Sequence, residues 1–183
     1  MKKLITLSAA ALLLVSAANA QTKDVAKNDT RYEKKENRKT LRKLEGKEVT
    51  YQAKQQFITD FNNAPVISSE RSDYYDEFTF SQAGVITTAY YDNNAMLIGT
   101  SQMKRFSDLP AKAQHEISKT YKNYKQGDVI FFDDNALNDT DFFLYNQQLD
   151  DEDSYFVELQ KDNKKIVLQV DMKGGVEYLT RLR

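Results

Sequence analysis

The 183-residue chain contains no cysteine and a single histidine, His115. The missing thiols exclude disulfide bonds, a lipid-anchored lipoprotein, a cysteine nucleophile and thiolate metal sites. A catalytic triad needs its histidine beside a nucleophile and an orienting acid, and nothing in the sequence indicates an oxyanion hole near His115. We therefore predict a surface histidine, no catalytic residue and no cofactor.

Long apolar runs are also scarce, and the main one, residues 4–15, lies at the N-terminus. It follows Lys2 and Lys3 and precedes the small-residue segment Ala18-Asn19-Ala20. This order is typical of a secretory signal peptide, and the run is too short to span a bilayer. We predict a signal peptide over residues 1–20, cleavage after Ala20, and a periplasmic or secreted protein.

Charge is distributed unevenly along the rest of the chain. Residues 21–48 hold ten basic and six acidic side chains, whereas the whole chain has a net charge of −1. The segment after residue 48 is therefore acidic, which argues against nucleic acid as a partner. We predict a basic leader over 21–48, partly helical or disordered, and a folded domain over 49–183.

Hydrophobic periodicity indicates two helices and a series of strands. Pro65 ends the first helix, and Asp108 is expected to cap the second, before Pro110. The helical stripes are Ala53, Phe57 and Phe61, and then Ala113, Ile117, Tyr121 and Tyr124. The predicted strands are 66–72, 74–81, 85–91, 95–103, 128–133, 142–147, 155–160, 166–172 and 176–182. The first of these is polar enough to lie at a sheet edge.

The order of a helix followed by strands occurs twice, over residues 50–106 and 109–183. Alternating strands with one apolar face favour an antiparallel sheet with helices on that face. We therefore predict an α+β domain of two tandem helix-plus-antiparallel-strand repeats. The repeats form one long antiparallel sheet with both helices on one face.

Three motifs carry a resemblance to a known family: Phe57-x-x-x-Phe61-x-x-Ala64-x-Val66, Ala89-Tyr90-Tyr91-Asp92 running to Ile98-Gly99-Thr100, and Leu109-Pro110 at the second helix. Over residues 51–182 the chain resembles the PepSY-like, beta-lactamase-inhibitor-protein-like group of exported Bacteroidetes-type proteins. The resemblance implies the two-repeat sheet and a binding or inhibitory role on its open face. Such chains often carry tryptophan near the strand after the first helix, and this chain has none.

Strands 128–133 and 142–147 are apolar on both faces. If the helices cover one face, the other shows aromatic side chains to solvent, which is typical of a protein-binding surface. The alternative is that the leader or a second copy of the chain covers it. The predicted contacts for an unknown protein or peptide partner are Tyr74, Tyr75, Tyr91, Phe132, Phe143 and Phe156.

Acidic residues crowd two loops, at 133–141 and 150–153. Calcium takes several oxygen ligands on a bent loop, so Asp133, Asp134, Asp139 and Asp141 are calcium candidates. The EF-hand template fails, however, and two solvated loops are the alternative interpretation. Two other functions stay open: a hydrolase that uses acidic residues of 133–153, and a self-associating envelope protein whose strands 66–72 or 176–182 pair edge to edge.

Overall fold

The computed structural model describes residue 44 and residues 46–182. The predicted signal peptide and most of the predicted leader lie outside these residues. The described elements are α1 (Tyr51–Asp60), β1 (Val66–Arg71), β2 (Asp76–Gln82), β3 (Val85–Tyr91), β4 (Leu97–Lys104), a 3₁₀ turn (Phe106–Asp108), α2 (Ala111–Thr120), β5 (Lys125–Asp134), β6 (Phe142–Leu144), β7 (Gln147–Leu149), β8 (Ser154–Lys161), β9 (Lys164–Asp171) and β10 (Val176–Leu182).

Eight of the strands form one antiparallel sheet in the order β1-β2-β3-β4-β5-β8-β9-β10. The pairing of β4 with β5 joins the four strands that follow α1 to four that follow α2. This confirms the predicted α+β class and the long antiparallel sheet. β1 lies at one edge, as predicted, and β10 lies at the other.

Both helices pack on the same side of the sheet, which we call the helix face. α1 buries Ala53 and Phe57 in a cluster with the side chains of β2 and β3, and α2 buries Ala113 and Ile117 in a cluster with those of β5, β8 and β9. Strand side chains alternate between faces, so the cross-strand register places these two clusters on one side. We call the opposite side the second face.

The first turn of α1 is tied to the sheet by a polar network. The Thr50 side chain caps the helix by accepting the Ala53 backbone N–H at 3.1 Å. The Thr50 hydroxyl and backbone N–H both donate to the buried carboxylate of Asp76, at 2.8 and 2.9 Å. Arg71 Nε donates to the same carboxylate at 2.7 Å. One carboxylate therefore joins α1 to β1 and β2.

The start of α2 differs from the prediction that Asp108 caps it. The N-cap position is Pro110, and no side chain caps this helix. Asp108 instead accepts the Arg105 backbone N–H at 2.9 Å and so closes the preceding 3₁₀ turn. Asp108 lies two residues before the N-cap, because the chain makes this extra turn before the helix begins.

The predicted strand 142–147 is wrong in its extent and its place. Tyr145 and Asn146 have positive φ angles of 54° and 59°, so the chain reverses there and forms the β6–β7 hairpin. A two-residue turn of this kind matches the twist of a hairpin. The hairpin is a separate two-stranded sheet and adds no strand to the long one. Within the described residues, no helix has the length and apolar character needed to cross a membrane.

Candidate functional site

The β6–β7 hairpin packs on the second face of the sheet. Its Phe142 ring stacks on Phe132 of β5, with ring centroids 3.9 Å apart and planes 7° apart. Phe156 of β8 and Val167 of β9 are buried in the same cluster. The sequence left the leader or a second copy as the alternative covers for this surface. The structure shows that the chain covers this part of it with its own hairpin.

The hairpin is anchored at both of its ends. Asn135 and Asn138, in the segment before β6, donate their side-chain N–H groups to the Leu97 carbonyl oxygen at 2.8 and 3.1 Å. On the other side, the Phe143 backbone N–H donates to the Tyr75 hydroxyl, and Tyr145 donates to Glu158 at 3.2 Å. These bonds fix the hairpin across strands that belong to both repeats.

The predicted partner contacts fall into two groups. Tyr75, Phe132 and Phe156 lie on the second face, but each is at most 3% exposed. Tyr91 is buried on the helix face, where its hydroxyl donates to Asp60 at 2.9 Å. The prediction that these four side chains are displayed to solvent is therefore wrong, because the hairpin or α1 covers them.

Tyr74 and Phe143 remain partly accessible, and their roles as contacts stay predictions. Their rings lie 4.9 Å apart, between the β1–β2 loop and the hairpin. The choice of Tyr91 as a displayed contact implies that its neighbour Tyr90 belongs to the core, but Tyr90 lies half-buried on the second face. Strand alternation correctly predicts that the two tyrosines point to opposite faces, but the prediction assigned each of them to the wrong face.

The part of the second face that the hairpin leaves uncovered has an apolar strip, which we define as Ile86, Met103 and Ile130. Ile86 is 61% exposed and Met103 is 60% exposed. Met103 is the register partner of Ile130, and Ile130 is the partner of the buried Phe156. The strip is therefore continuous with the aromatic cluster under the hairpin and extends outward across β4 and β3.

Beside the apolar strip lies a group of half-buried hydroxyls, which we call the hydroxyl row: Thr79, Thr88, Tyr90 and Ser101. The Thr79 and Thr88 hydroxyls are 3.0 Å apart, and those of Tyr90 and Ser101 are 2.8 Å apart. Burial raises the pKa of Tyr90 to about 12, against the opposing effect of the Ser101 hydrogen bond. The row therefore presents neutral donors and acceptors that a polypeptide backbone could meet.

The strip and most of the hydroxyl row were missed by sequence reasoning, which searched for aromatic side chains. The alternation of β3 already contained the signal, because Ile86, Thr88 and Tyr90 are spaced two residues apart. A burial assignment for that strand was needed to see that this set faces outward.

The four calcium candidates do not converge on a common point. Asp133 and Asp134 are successive residues of β5 and project to opposite faces of the sheet. Asp141 is buried and accepts a hydrogen bond from Gln148, while Asp139 is partly exposed. Within the described part of the chain, no three acidic or histidine side chains are close enough to hold a metal ion.

The structure also shows where His115 lies. It is exposed on the surface of α2, which agrees with the prediction of a surface histidine. Of the acidic residues in 133–153, Asp141 is buried, and Asp153 accepts the Asp134 backbone N–H at 2.9 Å.

The comparisons with known proteins bear on the fold. No family model and no curated protein matches the chain. A BLIP-like protein from Bacteroides fragilis is similar in structure, with a TM-score of 0.53, 18% identity, and coverage of 73% of this chain and 84% of that one. A DUF2874 family protein from Bacteroides ovatus has a TM-score of 0.56 and 12% identity over 73% of this chain and 89% of that one.

A third similar structure is a Bacteroides eggerthii protein that its name assigns provisionally to the periplasm. Its TM-score is 0.55 at 13% identity, and the match covers 73% of this chain and 88% of that one. At these identities the likeness concerns the fold. The resemblance to beta-lactamase-inhibitor-like proteins of Bacteroidetes is confirmed at that level.

Proposed function

We propose that the protein is an exported, non-enzymatic binding module that contacts a protein or peptide partner through the uncovered part of its second face. The observation that carries this proposal is the exposed apolar strip. Ile86 and Met103, on the inner strands β3 and β4, are about 60% exposed on the second face, beyond the area that the hairpin covers. An apolar patch rimmed by polar groups is typical of an interaction surface.

The hydroxyl row supports the same assignment. Interfaces combine an apolar centre with hydrogen-bonding groups at the rim, and here both occur on neighbouring strands. The row and the strip are held by the sheet backbone, so a partner would meet a preorganised surface and little ordering of the module would be needed. The BLIP-like neighbour shares this fold, and the name of the Bacteroides eggerthii neighbour, which assigns that protein provisionally to the periplasm, supports an exported module.

Affinity capture from periplasmic extract of the native host tests the proposal with matched methionine variants. Met103→Lys places a charge in the strip, while Met172→Lys makes the same change at a residue that is 50% exposed in the turn after β9. We expect wild type and Met172→Lys to capture the same proteins, and Met103→Lys to lose them.

A second pair lies on one strand and uses neighbouring residues that point to opposite faces. Ile86→Ser is expected to weaken capture, whereas Val85→Ser, on the helix-face side of β3, is expected to leave it unchanged. Equal capture by Met103→Lys, Ile86→Ser and wild type, with all variants folded, would show that this surface is not the binding site.

A further inference from the structure

Two glutamates face each other at one end of the uncovered surface. Glu70 of β1 and Glu77 of β2 are direct register partners in the antiparallel ladder. Their neighbours Ser69 and Phe78 are also paired, and Phe78 lies in the α1 cluster on the helix face. Strand alternation therefore directs both glutamates to the second face, with Cβ atoms about 5 Å apart.

Like charges directly opposite each other across a strand pair are destabilising. The adjacent Arg71 does not relieve this repulsion, since it points to the helix face and binds Asp76 with its side chain 9% exposed. The ion pairs within residue 44 and residues 46–182 join Arg71 to Asp76, Arg105 to Asp108 and Lys165 to Glu158, and neither of the paired glutamates takes part.

Glu77 is partly withdrawn from water. Burial first, and then the charge of Glu70, raises its pKa, although a hydrogen bond from Ser72 lowers it. Its other register partner is Tyr90, whose ring lies beside the carboxylate pair on the second face. A basic side chain placed here would meet two carboxylates and the edge of an aromatic surface, which suits a guanidinium in particular.

The carboxylate pair and the apolar strip have a defined spacing. Along β2, the same-face positions run Glu77, Thr79 and Ser81, and Ser81 pairs with Ile86 of the strip. Two steps of two residues correspond to roughly 13 Å. An extended peptide that runs parallel to the strands covers this distance in about four residues.

We propose that Glu70 and Glu77 bind an arginine or lysine side chain of the partner, so that the uncovered face selects an extended peptide segment with a basic residue about four positions from a large apolar one. The inference rests on the proposed function of this face. We infer a cationic peptide because no ion pair within the described residues matches the charge of the two carboxylates. The apolar strip also lies at a distance from them that about four residues of an extended peptide would span.

A displayed library of random peptides tests the proposal even though the partner is unidentified. Peptides of about twelve residues are long enough to cross the face in extended form. They are selected against the full exported chain, against Glu70→Gln/Glu77→Gln, and against the control Glu116→Gln/Glu177→Gln. The control removes the same charge from α2 and from the β10 edge. Circular dichroism confirms that each variant is folded.

We expect wild type and control to enrich peptides with arginine or lysine about four residues from an apolar residue, and the Glu70→Gln/Glu77→Gln variant to lose this enrichment. The best basic peptide should bind this variant at least about tenfold more weakly than wild type, as the loss of a charge-assisted hydrogen bond predicts. Citrulline in place of its arginine should weaken binding to wild type by a similar factor.

Equal enrichment on all three proteins, or no enrichment of basic residues, would overturn the carboxylate assignment. Binding of calcium chloride alone to wild type, lost in the Glu70→Gln/Glu77→Gln variant, would also overturn it, as would a dimer that this variant abolishes. The Met103→Lys variant separates the two proposals. If the selected peptides bind Met103→Lys as well as they bind wild type, they do not use the apolar strip and the proposed binding face is wrong. If Met103→Lys loses all of the selected peptides but those peptides show no preference for a basic residue, only the carboxylate site is contradicted.

Discussion

Replacing Phe142 with alanine removes the ring that holds the β6–β7 hairpin on the sheet. The ring is 2% exposed, stacks on Phe132 at 3.9 Å, and lies 4.9 Å from Tyr90 and 5.5 Å from Tyr75. Truncating a buried phenylalanine lowers the free energy of unfolding by about 3–5 kcal/mol. The lower limit applies here, because a hairpin with strands of three residues can relax into the space.

We therefore expect Phe142→Ala to lose about 3 kcal/mol of stability, which corresponds to a fall in melting temperature of roughly 10 °C for a domain of this size. The matched control is Phe143→Ala in the same strand. Its ring is partly exposed and packs against the ring of Tyr74. A surface truncation of this kind should cost less than half as much.

Calorimetry measures the two losses, and binding of the dye ANS measures the apolar surface that each variant exposes. Opening of the hairpin alone should increase ANS binding and accelerate amide exchange at 142–149 before the sheet unfolds. If Phe142→Ala matches Phe143→Ala in melting temperature, dye binding and exchange, the hairpin does not cover the second face and the reasoning fails.

Three further variants test other parts of the structure. Asp76→Asn should cost about 3 kcal/mol in urea unfolding, because it removes the charge of the buried carboxylate that Arg71 and Thr50 bind. Burial raises the pKa of Asp76, but the hydrogen bonds to its carboxylate outweigh burial and hold the pKa below its usual value. The ionised carboxylate therefore contributes its full stability above about pH 4, and this contribution is lost as the pH falls through the folded pKa. The Asp76→Asn variant should lack this pH dependence. Gly99→Ala should cost about 1–3 kcal/mol in the same assay, since a β-carbon there would lie 2.5 Å from a backbone oxygen of β5. Glu70→Gln/Glu77→Gln should raise stability by about 0.2–1 kcal/mol by removing repulsion, and unchanged stability in both low and high salt would contradict the predicted repulsion.

The elements that sequence reasoning predicted well are those specified by local pattern. β3 and β10 have the predicted boundaries, 85–91 and 176–182. Continuous alternation and flanking turns define such strands whatever strands lie beside them. The helix stripes were found for the same reason, and the face they bury follows from their spacing.

The errors concern information that local pattern does not hold. A run such as Phe142–Leu144 reads as a strand whether it joins the long sheet or lies across it. The apolar character of both sides of β5 left open whether its second face is displayed to a partner or covered, and it did not point to the hairpin that covers it. Strand alternation predicted that Tyr90 and Tyr91 point to opposite faces of the sheet. Which of the two is buried on the helix face depends on where α1 packs, and local pattern does not show this.

The two repeats differ at one connection, and that difference decides which surface is available to a partner. The first and second strands are joined by four residues in the first repeat, 72–75, and by nineteen in the second, 135–153. The long connection folds back as the hairpin and buries Phe132 of β5 and Phe156 of β8. The short one contributes Tyr74 and Tyr75 and leaves the second face of β2, β3 and β4 uncovered beyond the edge of the hairpin.

The uncovered surface sets a requirement on any tight partner. Full burial of a large apolar side chain is worth about 1.5–3 kcal/mol, and Ile86 and Met103 are each about 60% exposed, so the two together offer roughly 2–4 kcal/mol. Micromolar binding needs about 8 kcal/mol after the entropic cost of association has been met. The apolar strip alone is therefore insufficient. A partner that binds at micromolar concentration must also gain from the hydroxyl row and from the opposed carboxylates, which supply polar and charged contacts beside the strip.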